Sequence, residues 1–469
     1  MGPRKIVEFS LGPVGGALLA LVTLPLMTWI YSAEDIGRIS MLQVTNSFCI
    51  LLFGLGLDQT YVREYHQSLD KVQLLRVCLF PGLGFFGLVV LVMLLGPWSI
   101  SSILFDISGG IFTLLIVLCL VVGFCSSFLS LVLRMQERAF EYSLSQVIPK
   151  FLMFVMLCLV SVFTGVRDFL ELLTFYSLSA LSVFIFFTWR TRGEWLGVFS
   201  KKVEFLNYAS ALKFGMPLVA SGVAYWGMQA VDRIFLRFFS TLDQLGVYSV
   251  AASFAGVAII FQSIFSTVWA PVVYKWSAAG EDVAKISKFL DSITVVVIFA
   301  FVSVGMFSGL LEFILPQKYS SVKYLVVACV SGPLFYTLSE VTGIGVTIIR
   351  KTSYSIYASV ASMLTNLILC YCLIPAYGAA GAAGSTAFSF WIFFVCRTEL
   401  SCLLWERIPR LKLYCFTFLC MALAIATAVG VFNALLTVIF WGGVGLLSGF
   451  IYKNQVLLFM RYVCGRLIR

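Results

Sequence analysis

Glu340 stands in an apolar run ten residues before Arg350, which on a helix puts its carboxyl roughly 15 Å from that basic end. A charge so deep in a membrane-length run costs about 2.5–3.5 kcal/mol on insertion scales, so it needs a reason to be there. Pro333, Tyr336, Glu340, Gly343 and Thr347 recur at helical spacing and give one polar or small face, and Gly343 and Gly345 permit close approach or a bend. A carboxyl on that face can carry a proton or a cation along a transport route. A protonated glutamate bonded to a neighbouring helix is the plainer alternative.

Asp232-Arg233 is the second such place. Trp226, Gln229, Arg233 and Arg237 follow at i, i+3, i+7 and i+11, so one helix face offers an aromatic ring, an amide and two cations. That face suits a phosphate or sugar phosphate. Snorkelling of the two arginines to lipid phosphates, with Asp232 bonded to another helix, accounts equally well for the same residues. In the run Gly56 to His66, Gln59, Arg63 and His66 share one face while Asp58, Tyr61 and Tyr65 share another. Such a mouth can receive an anionic glycolipid headgroup, although an interfacial aromatic and basic belt is the commoner use of these residue types. Ser355, Ser359, Ser362 and Asn366 form a polar stripe that either lines a cavity or joins helices by hydrogen bonds, the latter being the more frequent.

Several chemistries are excluded. No Gly-x-x-x-x-Gly-Lys-Ser/Thr loop is present for ATP hydrolysis, and no Asp-x-Asp for a metal-dependent glycosyltransferase. His66 is the only histidine, and the thirteen cysteines, nearly all within apolar runs, form no Cys-x-x-Cys or Cys/His cluster. Neither a cofactor, nor a metal site, nor an enzyme is expected.

These residues are carried by an all-α polytopic membrane protein. The 469 residues are 61% hydrophobic and 12% charged with a mean hydropathy of +1.00, whereas soluble domains carry about 25% charge. Apolar runs long enough to span fall at about 9–31, 39–58, 75–97, 111–133, 148–166, 170–189, 212–236, 246–270, 289–311, 325–348, 354–375, 378–396, 413–432 and 434–452, fourteen in all. The first is too long and lacks the small-residue cleavage site of a signal peptide, so it reads as a retained helix.

With the N-terminus inside, only Arg38, Arg167, Arg233, Arg237, Lys318 and Lys323 face out. The other 26 of the 32 basic residues stay on the cytoplasmic side. Both termini are then cytoplasmic, and the net charge of +10 is met by an anionic inner leaflet, with no need for nucleic acid.

The pattern Ser32-Ala33-Glu34-Asp35-Ile36-Gly37-Arg38-Ile39-Ser40 returns 209 residues later as Thr241-Leu242-Asp243-Gln244-Leu245-Gly246-Val247-Tyr248-Ser249, each after an apolar run holding Gly12-Pro13 or Met216-Pro217. Six spans separate the copies, so they share one orientation. The expected plan is two parallel six-helix bundles around a central cavity, the design of many secondary transporters. We read residues 1–189 as the first bundle, 190–213 as a basic cytoplasmic linker, 214–400 as the second, and 401–469 as two extra helices with a basic tail.

Four stretches carry a family resemblance. They are Gly56-Leu57-Asp58-Gln59-Thr60-Tyr61-Val62-Arg63-Glu64-Tyr65, the Asp232-Arg233 helix followed by Leu245-Gly246-Val247-Tyr248-Ser249, Leu315-Pro316-x-Lys318-Tyr319, and Gly332-Pro333-Leu334-Phe335-Tyr336-Thr337-Leu338-Ser339-Glu340. Together they resemble Wzx-type O-antigen flippases of the multidrug/oligosaccharidyl-lipid/polysaccharide exporter superfamily, over roughly residues 1–400. The resemblance implies a MATE-like fold in a bacterial inner membrane. It implies a cationic central cavity and alternating access, driven by a proton or sodium gradient. The substrate it implies is the undecaprenyl-pyrophosphate-linked oligosaccharide unit of O-antigen or a related polysaccharide in lipopolysaccharide biosynthesis, and membrane lipids and polysaccharide polymerase or chain-length proteins are the implied partners.

On that reading the pyrophosphate is drawn to Arg63 and then Arg233, while Gln59, Gln229, Trp226, Tyr336 and Asn366 accommodate the glycan. Glu340, Asp232 and Asp58 couple the ion. A drug/cation antiporter of the same fold, and a non-transporting partner of a polysaccharide assembly complex, are the competing readings.

Overall fold

The computed structural model describes residues 3–68, 70–96, 99–163, 167–196, 205–278, 283–349, 351, 353–453 and 455. Lys201, Lys202, Arg350, Arg461, Arg466 and Arg469, which count in the charge asymmetry, lie outside them. Every regular element among the described residues is helical. The chain divides into two compact units, Met1–Trp226 and Gly227–Arg469.

The first unit holds α1 (Pro3–Ile30), α2 (Ala33–Gly54), α3 (Leu57–Glu64), α4 (Lys71–Leu95), α5 (Ile100–Phe105), α6 (Gly110–Met135), α7 (Ala139–Phe163), α8 (Phe169–Arg190), α9 (Arg192–Trp195) and the first part of α10 (Phe205–Phe239). Ser32 caps α2 reciprocally. Its hydroxyl accepts from the Asp35 amide at 3.1 Å, and the Asp35 carboxylate accepts from the Ser32 amide at 3.3 Å. Phe53, Phe86, Phe124 and Phe128 form a chain of ring contacts through the core, with centroids 4.8, 5.6 and 5.4 Å apart.

The expected span at 39–58 ends early, at Gly54. Leu55 (φ 52°) and Gly56 (φ 67°) are consecutive left-handed residues, so the helix stops and α3 restarts in a new direction. The break is held by backbone packing. A Cβ on Gly56 would sit 2.2 Å from the Gly215 carbonyl oxygen, and one on Gly215 would sit 2.4 Å from that of Leu55. Only glycine lets α10 come this close to the turn.

The second unit holds the rest of α10, then α11 (Leu242–Phe254), α12 (Gly256–Ala278), α13 (Val283–Phe307), α14 (Leu311–Ile314), α15 (Val322–Thr342), α16 (Ile344–Ile348), α17 (Tyr354–Leu404), α18 (Leu411–Ala428) and α19 (Ala434–Ile451). Thr241 caps α11 as Ser32 caps α2, accepting from the Gln244 amide at 3.2 Å. The repeated segment is therefore a helix start in both copies, with Ile36, Gly37 and Ser40 buried in one and Leu245, Gly246 and Ser249 in the other.

The second copy differs at its third helical residue. The Gln244 side chain leaves its own helix and accepts from the Ala379 amide at 3.0 Å. That contact braces Gly378 (φ 53°, ψ −126°), which splits α17 into arms 354–377 and 379–404, the two expected spans. A Cβ there would meet Gln244 Oε1 at 2.8 Å.

Among the described residues eleven helices are long and apolar enough to cross a membrane, or twelve when α11 and α12, bent by 43°, count as one. The most buried is α15, with 83% of its best apolar window inside the protein against 22–56% for the others. It packs on α11, α12, α13, α17 and α18. Its Ser331, Thr337, Ser339 and Thr342 are buried within the protein, and Tyr336 and Glu340 half-buried. The C-terminal α18 and α19 dock on α15, α17 and α13, where the buried Trp441 stacks on Phe301 at 6.1 Å against Gly305.

Candidate functional site

Two polar clusters lie inside the second unit. The first is built on Asp232 in α10, which is only 2% exposed. Its Oδ1 accepts from the Arg233 amide at 2.8 Å. Its Oδ2 accepts from the Tyr248 hydroxyl of α11 and from Thr386 Oγ1 of the second α17 arm at 3.3 Å. One carboxyl thus ties three helices together with three donors, the saturation a buried acid requires.

Arg233 does not turn back to the carboxylate. Its guanidinium lies 6.0 Å from the Tyr248 ring and donates to the Gln229 carbonyl oxygen at 3.4 Å. Its Nε is buried without a hydrogen-bond partner among the described residues. Asn366 on the first α17 arm is fully buried, donates to the Met228 carbonyl at 3.5 Å and accepts from the Cys370 thiol at 3.4 Å. Ser362 of the same stripe donates to the Ser389 carbonyl at 2.6 Å and so joins the two arms, while Gln229 is exposed.

The second cluster centres on Glu340 of α15. Its Oε2 accepts from Ser266 Oγ of α12 at 2.6 Å, and its backbone carbonyl accepts from the Trp269 indole at 3.1 Å. Trp269 is stacked on Phe289 at 4.5 Å. One turn before Glu340, Tyr336 stacks on Phe393 with centroids 5.7 Å apart and planes 12° from parallel.

Arg397 lies over both rings, at 5.9 and 5.8 Å, and its Nη1 donates to Ser339 Oγ at 3.3 Å. Its Nε is buried and has no partner among the described residues. The side chain fits because α15 ends at Gly343, where a Cβ would stand 2.7 Å from Arg397 Cγ. Through space the Arg397 charge acts on Glu340. A cation, a carboxyl and two parallel rings are therefore assembled on the face where Tyr336, Glu340 and Gly343 recur.

Arg397 was not among the residues singled out from sequence. The apolar run that precedes it stops at residue 396, so it counts as one more cytoplasmic charge. The usable signal was its i, i+4 spacing from Phe393 together with the small Gly343. Tyr248 shows in the sequence only as part of the repeated helix start, and Thr386, Ser266 and Trp269 leave no signal, because only the packing of helices brings them to the two carboxyls.

The remaining expected residues lie in the first unit. Asp58 and Gln59 of α3 line a cleft of about 520 Å³ together with Ser47, Ile50 and Leu51 of α2, Gly56, and Leu218, Val219, Gly222 and Tyr225 of α10. Gln59 Nε2 donates to Asp58 Oδ2 at 2.7 Å. Arg63, whose side chain is 56% exposed, pairs with Glu64 at 3.4 Å and is not part of that lining. Tyr61 and Tyr65 are buried, and burial raises the Tyr61 hydroxyl well above its ordinary value. Trp226 donates to Ser47 Oγ at 3.0 Å and packs on Phe48 at 4.8 Å.

A family model described as "Polysaccharide biosynthesis protein" matches residues 4–277. Among curated proteins, the probable low-salt glycan biosynthesis flippase Agl15 of Haloferax volcanii is 26% identical over 195 residues, 40% of this chain and 41% of that one. The chain thus spans about two-fifths of that relative's length. Of solved structures, the lipid II flippase MurJ in an inward closed conformation superposes with a TM-score of 0.65 at 15% identity, over 96% of this chain and all of that one. An inward-facing multidrug resistance MATE family transporter of the MOP superfamily gives 0.59 at 14% identity, over 85% and 98%. The fold is MATE-like, as the family resemblance implies.

Proposed function

The chain belongs to the polysaccharide biosynthesis protein family, and from that premise we propose that it is a flippase for lipid-linked oligosaccharide. The substrate is an undecaprenyl-pyrophosphate-linked repeat unit of O-antigen or a related surface polysaccharide. It moves from the cytoplasmic to the periplasmic leaflet of a bacterial inner membrane, in which both termini are cytoplasmic. Residues 1–189 and 214–400 act as the two bundles of an alternating-access transporter, with 190–213 as the linker.

The observation that carries this reading is the pair of polar clusters inside the second unit, each with an arginine whose Nε has no partner among the described residues. Both arginines are half-buried; a cation kept inside a membrane protein costs about 2.5–3.5 kcal/mol on insertion scales, and an anionic headgroup passing by would meet it. The pyrophosphate is drawn first to Arg63 and then to Arg233 and Arg397. Gln229, Trp226, Tyr336 and Asn366 accommodate the sugars. Asp232 and Glu340 exchange a proton or sodium ion with the gradient and bias the inward- and outward-open states.

An antiporter for cationic drugs would want free aromatic faces beside its acid. Here Arg397 already covers the Tyr336 and Phe393 rings, which are the positions a drug cation would take. Complementation separates the readings. We expect the wild-type gene to restore surface polysaccharide in a flippase-null strain of matching glycan type, and Glu340→Gln and Arg63→Ala, made at normal levels, to restore it poorly. Full restoration by both variants would refute the assigned roles.

A further inference from the structure

We infer that the cleft between α2–α3 and α10 in the first unit is a subsite for a neutral or amino-substituted sugar ring. The inference rests on the flippase reading and deepens it. At about 520 Å³ the cleft falls within the roughly 300–1,000 Å³ of small-molecule sites. Its walls differ in chemistry. Ile50, Leu51, Leu218 and Val219 are aliphatic, whereas Asp58 and Gln59 stand at the end where α3 restarts.

A pyranose has the matching asymmetry, with an apolar C–H face and an edge of hydroxyl donors and acceptors. Among the described residues the Asp58 carboxylate has one hydrogen bond, from Gln59 at 2.7 Å. Its remaining lone pairs can accept from vicinal hydroxyls, and the Gln59 carbonyl can accept from a further hydroxyl or an acetamido N–H.

Pyrophosphate itself does not suit this site. A carboxylate in the lining repels it and equally repels a uronic acid, while Arg63, the nearest cation in the sequence, is not part of the lining and pairs with Glu64. Asp58 therefore serves the sugar, and it makes the cleft selective by what it refuses.

The cleft is also held open by structure. Gly56 against Gly215 fixes the turn at one end, Gly222 against Leu51 sets the spacing of α10 from α2, and Trp226 on Ser47 and Phe48 stands one residue beyond the lining Tyr225. A site preformed in this way spends little ordering entropy on its ligand.

The test compares two probes on the full chain in nanodiscs, undecaprenyl pyrophosphate and undecaprenyl-pyrophosphate-N-acetylglucosamine, with affinities read by native mass spectrometry. Wild type is expected to prefer the sugar-bearing lipid about tenfold, equivalent to ~1.4 kcal/mol. Asp58→Ala removes the acceptor and Leu218→Trp fills the cleft from the opposite wall. Each is expected to bring the ratio of the two affinities close to one. A ratio that stays tenfold in both variants overturns the inference, as does a wild-type ratio of one with both lipids bound. If wild type binds neither lipid, the flippase reading falls with it.

Discussion

Asp232→Asn is expected to leave the protein folded and to lower transport about tenfold, with the dependence on an imposed ion gradient lost. The amide keeps the shape and one acceptor oxygen for Tyr248 and Thr386, but it cannot gain or release a proton, and it holds a cation less well. Asp232→Ala is a different experiment. It strands the Tyr248 and Thr386 hydroxyls in a site only 2% exposed. At about 1–3 kcal/mol for each buried donor left unmet, the expected loss of stability is severe. Thermal unfolding in detergent and gradient-driven uptake by vesicles separate the two effects. Wild-type transport by Asp232→Asn, still steepened by the gradient, would reduce the residue to a tie between helices.

The second large effect is expected at Arg397. Removing its guanidinium strips a cation from above Tyr336 and Phe393, frees Ser339 and takes away the positive charge that acts on Glu340. Arg397→Ala should cut transport about 10- to 100-fold. Arg397→Lys should not rescue it, because a compact ammonium cannot lie flat over two rings and donate sideways to a hydroxyl at once. A cycle of Glu340→Gln, Arg397→Gln and the double substitution, read as transport rate, should give a coupling of about 0.5–3 kcal/mol, the range for groups in one network. Strict additivity would mean that the carboxyl and the guanidinium act independently.

Much of the architecture is legible in the sequence, and for physical reasons. Lipid demands long apolar helices whatever their function, so the spans announced themselves, and a charge inside one is costly enough that Glu340 and Asp232 stood out. The Ser32 and Thr241 repeat was readable because a helix start needs a side-chain acceptor at the cap.

Other features needed the fold. The break at Leu55–Gly56 falls within an apolar run, where hydropathy is blind to a change of backbone direction, whereas the one at Gly343 falls where the glycines permit a bend. Arg397 sat one residue past a span edge and so counted as a surface charge. Its partner rings lie in α15 and in its own helix, and no local pattern joins Ser339 to a residue 58 positions on. The polar stripe from Ser355 to Asn366 was visible as a stripe. Only the structure assigns Ser362 to the second α17 arm and Asn366 to α10.

The claim at the centre, that this chain carries lipid-linked sugar across a bilayer, is tested most directly by reconstitution. Vesicles containing the purified protein and undecaprenyl-pyrophosphate-N-acetylglucosamine are mixed with an impermeant galactosyltransferase and its sugar donor, which modify only the lipid in the outer leaflet. With the protein present, the inner-leaflet pool should become modified as well. The rate should rise when a proton or sodium gradient is imposed and fall about tenfold in Arg397→Ala. Modification that stops at the outer-leaflet fraction of protein-free vesicles, while the same protein exports a cationic dye against the gradient, would contradict the claim and identify a cation antiporter instead.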